Sequence, residues 1–175
     1  MIASFLLMIV LAQTRASLDS AVNVLDERFV HDLHDKKVYD VLTLYTSDAV
    51  FVNPDGQRVS GAGLRQLYDQ VTKAFDSDLH LKREHLKRQG ETAVEDGTYA
   101  ETLGHRDTGK VDNVQGTYRF TLRREADGSW LFSQMEWHWD WSRTGRGPVG
   151  AGLRPVRGKW VQSQGWAQFR MDRQL

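Results

Sequence analysis

The chain has 175 residues, 40% of them hydrophobic and 26% charged, and no cysteine. That length suits one domain with a sizeable core, and the lack of cysteine excludes disulfides and thiolate chemistry. Net charge is zero but unevenly spread: residues 142–175 hold seven Arg/Lys against one acid, Asp172, so the tail is +6 and the remainder −6.

Ile2 to Ala12 is almost wholly apolar. The run is too short to cross a bilayer, which needs about 20 residues, so no membrane span is expected. It does match the apolar part of a secretory signal, and Thr14-Arg15-Ala16 places small residues for cleavage before Ser17. The expectation is removal of residues 1–16 and export, secreted or periplasmic. The alternative is a cytoplasmic protein in which the run extends the first helix.

Leu18, Val22, Leu25, Phe29 and Leu33 recur at steps of four and three, one apolar stripe on a helix over Leu18–Leu33. A second, short helix is predicted for Lys36–Tyr45. Ala49–Val52 then reads as a strand, and Asn53-Pro54-Asp55-Gly56 as a tight turn, with Pro fixing φ and Gly tolerating positive φ. Gln57–Val59 forms a second strand. Leu64, Leu67, Tyr68, Val71 and Phe75 give a third amphipathic helix.

From Leu79 the period becomes two. Four strands are predicted, Leu79–Gln89, Thr92–Leu103, Val111–Glu125 and Trp130–Trp141, joined by short polar loops that include Asp127-Gly128, a strong hairpin signal. Helices followed by an antiparallel meander argue an α+β fold whose curved sheet wraps the helices and leaves a hollow. Residues 142–175 carry six of the fifteen glycines and two of the three prolines, and read as a separate basic tail.

The order of helices, then YTSDAVFVNPDG, VSGAGLRQLY, and four strands ending ADGSWLFSQMEWHWD, is similar to the NTF2-like superfamily. The branch it resembles is the SnoaL-like and ketosteroid-isomerase-like (DUF4440-type) proteins, over residues 17–141. The resemblance implies a cone: three N-terminal helices packed on a curved, mainly antiparallel sheet, homodimeric through the outer sheet face, with a pocket inside. Fold does not fix function, and such proteins include both enzymes and binding proteins.

In the isomerase branch the resemblance puts the general base just before the hinge proline, where this chain has Asn53, an amide that cannot take up a proton at neutral pH. The first helix offers Phe29, which has no hydroxyl, in place of that branch's tyrosine. The same proton shuttle is therefore not expected.

Two other constellations remain. A three-residue Gln89-Gly90-Glu91 loop sets His85 opposite Glu95, and a two-residue loop sets it opposite Asp96. The face with Leu79, Leu81 and Tyr99 points inward, so His85, Glu95 and Tyr99 are the candidate catalytic set, a histidine oriented by a carboxylate. Asp127-Gly128 as a two-residue turn places Tyr118, Phe120, Met135 and Trp137 on one apolar face, with Glu136 and His138 behind. Trp130 and Phe132 favour the opposite parity, and a one-residue slip exchanges the faces. The expected ligand pocket is Phe29, Tyr45, Asn53, Tyr118, Phe120, Met135 and Trp137.

No cofactor or metal is expected: His31 and His34 stand i, i+3 on a polar helix face, and no phosphate loop or nucleic-acid motif is present. The reading is a domain that binds a small, largely apolar molecule. The alternatives are a dehydratase-, cyclase- or isomerase-type enzyme using a His–carboxylate pair, and an interaction module working through the basic tail.

Overall fold

The computed structural model describes residues 2–140, with side chains from Leu18 onward, so the expected basic tail and Trp141 lie outside the described residues. The first helix, α1, runs unbroken over Ile2–His34, through the point where a helix start at Leu18 was expected. All five residues of its stripe are buried, Val22 and Phe29 almost completely. Each such side chain contributes about 1.5–3 kcal/mol by leaving water.

Lys36, at φ 61, breaks the chain direction, and α2 is a single short helix, Val38–Thr43. It stops earlier than predicted because Tyr45 already belongs to the first strand. That strand, β1 (Tyr45–Val52), is twice the predicted length and has an irregularity between Tyr45 and Val50. The Asn53–Gly56 turn forms as expected: Gly56 sits at φ 84, and its N–H donates to the Asn53 carbonyl. β2 (Arg58–Ser60) and α3 (Ala62–Ala74) follow. The third helix thus comes after a strand hairpin, so only two helices precede the sheet, a correction to the expected three.

β3 (Phe75–Gln89), β4 (Thr92–His105), β5 (Val111–Arg124) and β6 (Trp130–Trp139) form the meander. The six-stranded sheet has the order β2-β1-β6-β5-β4-β3, antiparallel throughout except for the parallel pair β1–β6.

Two bulges reconcile register choices that the sequence left open. Next to the loop, β3 and β4 pair as a two-residue hairpin requires, Gln89 with Thr92 and His85 with Asp96. Beyond an extra residue at Glu84 they pair Leu81 with Tyr99 and Leu79 with Glu101, as the longer loop implied. Likewise Phe120 pairs Met135 and Tyr118 pairs Trp137, but Leu122 pairs Phe132, because Ser133 is the extra residue. Trp130 and Phe132 therefore face inward together with Met135 and Trp137, and all four are buried. Each bulge also bends its strand, which helps curl the sheet around α1 and α3.

Two glycines permit close approaches inside that curl. A Cβ on Gly116 would lie 1.8 Å from the His138 carbonyl oxygen and 2.9 Å from the Tyr99 ring, and one on Gly97 would lie 2.6 Å from the Tyr118 hydroxyl.

Candidate functional site: an aromatic hollow with one carboxyl

The curled sheet does not close completely on the helices. A narrow hollow remains, with about 40 Å³ of room for the centres of water-sized spheres. That is roughly three times what a single water needs. Helix α1 contributes Phe29 and Leu33, which its 3.6-residue period sends to the same side. β1 and the turn contribute Phe51 and Pro54; α3 contributes Leu67, Tyr68 and Val71. From the sheet come Leu79, Tyr99, Val114, Trp137, Trp139 and one carboxyl, Glu101.

The rings hold one another in fixed geometry. Tyr99 meets Trp137 edge to face, with centroids 4.9 Å apart at 88°. Phe29 packs on Trp137 at 6.4 Å and on Tyr68 at 6.4 Å. Such contacts add about 0.5–1.5 kcal/mol each beyond burial and stiffen the wall. The Trp137 indole N–H, although buried, has no hydrogen-bond partner among the described residues.

Glu101 is the unexpected residue. Strand alternation puts it on the same inner face as Tyr99, two positions earlier. Ser77 on β3 donates its hydroxyl to Glu101 Oε1 at 2.6 Å. Burial pushes the Glu101 carboxyl up to about 7, and the Ser77 hydrogen bond only partly opposes this. Its charge is felt by Tyr68 and Tyr99, whose phenols are raised above their usual range, mainly by their own burial. A carboxyl that changes protonation near neutrality can accept or donate a proton, or pair with a cation.

The expected catalytic set does not assemble. His85 is exposed on the outer face, opposite Asp96, whereas Glu95 is fully buried and Tyr99 lines the hollow. The two-residue loop and the Glu84 bulge decide this. A histidine beside a carboxylate does occur elsewhere, at the β4–β5 hairpin, where His105 Nε2 lies 2.8 Å from Asp112 Oδ2; that pair is not part of the lining.

Of the expected pocket residues, Phe29 and Trp137 line the hollow. Tyr45, Tyr118, Phe120 and Met135 are core, packed behind the wall. Tyr45 hydrogen-bonds the Tyr68 hydroxyl and abuts the Met135 sulfur. Asn53 is buried but serves its own turn, its side-chain oxygen accepting the Gln57 N–H at 2.8 Å. Glu136 and His138 do not join Trp137 on the inner face, since Gly116 through Thr121 keep the unslipped register.

Glu95 belongs to a second buried polar cluster. The Tyr118 hydroxyl donates to its Oε1 at 2.5 Å, and Arg83 Nε stands 3.5 Å from the same oxygen. Arg83 also pairs with Asp26 on α1 at 3.1 Å and donates to Asn23. Among the described residues, Asp26 Oδ1 and Glu95 Oε2 find no hydrogen-bond donor. Both carboxyls are held above the usual range, chiefly by burial and, for Asp26, by the neighbouring Glu95 charge. Two carboxyls, Glu95 buried and Asp26 half-buried, compete for one guanidinium, which favours retention of a proton between them.

The family model described as "SnoaL-like domain" matches residues 27–133, more than half of the chain. The chain belongs to the SnoaL-like domain family. No curated protein sequence matches it. Among solved structures, this SnoaL-like domain is similar to a ketosteroid isomerase-like protein from Erwinia carotovora atroseptica, at 19% identity and TM-score 0.63, covering 69% of this chain and 94% of that one. It is similar to an NTF2-like superfamily protein from Salmonella enterica, at 15% identity and TM-score 0.64, covering 79% and 99%. It is also similar to a hexachlorocyclohexane dehydrochlorinase, at 15% identity and TM-score 0.64, covering 82% and 96%. At these identities the likeness establishes the NTF2-like cone, and what the cone does rests on its own lining.

Proposed function

We propose that this SnoaL-like domain binds one small, largely apolar molecule in the hollow, with Glu101 as its ionisable contact. The observation that carries this is the lining: aromatic and aliphatic walls with one carboxyl among the described residues, the usual character of a small-molecule site. A titration of the tryptophan fluorescence with benzyl alcohol tests it. Quenching should saturate, and Val71→Phe, which fills the hollow from α3, should abolish it while far-UV circular dichroism stays unchanged. Equal binding by folded Val71→Phe would defeat the proposal.

A second reading is favoured by the raised Glu101 carboxyl: an enzyme of the isomerase or dehydratase kind, with Glu101 rather than His85 as the proton acceptor. One structural neighbour is named a dehydrochlorinase. Exchange of the methyl hydrogens of acetophenone in D₂O measures proton abstraction next to a carbonyl. The enzyme reading expects exchange by the wild type and its loss in Glu101→Gln; identical rates would end it.

We also propose a homodimer through the outer sheet face, on the resemblance alone, and export, on the Ile2–Ala12 run alone. Sedimentation velocity should show two copies per particle. The intact mass of protein collected from the native host should lack residues 1–16. No helix among the described residues is long and apolar enough to cross a membrane.

A further inference from the structure

The hollow's lining is one-sided in charge. Six rings face it, Phe29, Phe51, Tyr68, Tyr99, Trp137 and Trp139, with the Glu101 carboxyl among them. Among the described residues that line it there is no Lys, Arg or His. Among the described residues no cation on its walls compensates an ionised Glu101: Ser77 offers a neutral hydroxyl from β3, and the cross-strand neighbours on β3 and β5 are Leu79 and Val114. The other ionisable groups that feel its charge are the phenols Tyr68 from α3 and Tyr99 from β4. His34 on α1 meets the Ser77 carbonyl at 3.0 Å, but it is exposed.

We infer that the hollow selects a small organic cation, an arylmethyl- or alkylammonium, whose charged nitrogen pairs with the Glu101 carboxylate while its apolar part lies among the rings. This rests on the binding reading above and names the ligand class for that site. Ring faces carry negative potential and attract cations, more strongly where water is excluded. A carboxylate in the same hollow adds the one full charge that a neutral or anionic guest cannot use. The raised carboxyl is the apo-state counterpart: without a cation, Glu101 retains its proton to about pH 7, and a bound ammonium would lower that midpoint.

Three probes of nearly equal size test this: benzylammonium, benzyl alcohol and benzoate, titrated by tryptophan fluorescence at pH 8 and pH 5.5. The expected result is benzylammonium binding about tenfold or more tighter than benzyl alcohol at pH 8, with benzoate weakest. That preference should shrink at pH 5.5, where Glu101 is protonated, a readout that needs no variant. In Glu101→Gln at pH 8, benzylammonium should lose its advantage over benzyl alcohol. Benzyl alcohol binding as tightly as benzylammonium in the wild type overturns the cation preference and leaves the binding reading standing. An advantage that persists in Glu101→Gln also overturns it. Failure of all three probes to bind overturns both.

Discussion

At the scale of single residues, the informative groups are carboxyls that burial has made reluctant to ionise. Glu101 retains its proton to about pH 7 in the folded chain, against 4.5 for an unperturbed glutamate. Between those values the folded state binds more protons than the unfolded one, so stability falls as pH rises through this window. The loss reaches about 3 kcal/mol above neutrality by the usual 1.36 kcal/mol per unit. Glu101→Gln keeps an acceptor for Ser77 and removes the ionisation. It is expected to be more stable than the wild type at pH 8 and indistinguishable near pH 4, measured by urea denaturation at both.

Arg83 is the opposite case, the one cation among the described residues that pairs with both Asp26 and Glu95. Arg83→Met leaves those two carboxyls uncompensated. It should cost about 3–5 kcal/mol at pH 8, and less at pH 5, where Asp26, pushed up to about 7 in the wild type, carries its proton. A pH-independent cost would mean that Arg83 acts by packing alone.

At the scale of elements, bulges and glycines set the shape of the hollow. Gly116 has no room for a side chain, because a Cβ would sit 1.8 Å from the His138 carbonyl oxygen. Gly116→Ala must therefore separate β5 from β6 beside the hollow, with an expected loss above about 3 kcal/mol in chemical denaturation. Gly97→Ala meets Tyr118 and the Lys82 carbonyl, so it should also release the Glu95 hydrogen bond.

Much of this architecture was legible in the chain. The α1 stripe, the Asn53–Gly56 turn and the four long strands follow from period and turn chemistry. The bulges were not legible, since an inserted residue at Glu84 or Ser133 carries no compositional mark. Yet Trp130 and Phe132, out of phase with Met135 and Trp137, already showed that one uniform register could not bury all four. Glu101 could have been found by alternation, two residues on from inward Tyr99 and opposite Leu79. A glutamate in a strand carries no mark of its own that separates an inward position from a solvated one. His85 was misplaced for the converse reason: a plausible partner across the strand does not say which face the pair occupies.

At the scale of the whole molecule, an NTF2-like cone keeps an incompletely filled interior because its walls are stiff. Rings in mutual contact and bulged strands form one side of it, and α3 with the Asn53–Gly56 turn completes the wall opposite the sheet. This chain places neither a proton acceptor before its hinge proline nor a phenol at Phe29. Its ionisable chemistry lies instead on β4, with Glu101 in the hollow and Glu95 in the cluster under α1. Glu101 is half-buried among the rings of that wall, and its ionisation follows from that setting. The most direct measurement is a carbon-13 NMR pH titration of the Glu101 side-chain carboxyl in the ligand-free protein. A midpoint near 7, raised further by saturating benzyl alcohol, is the predicted result; a midpoint near 4.5, unmoved by benzyl alcohol, would contradict it.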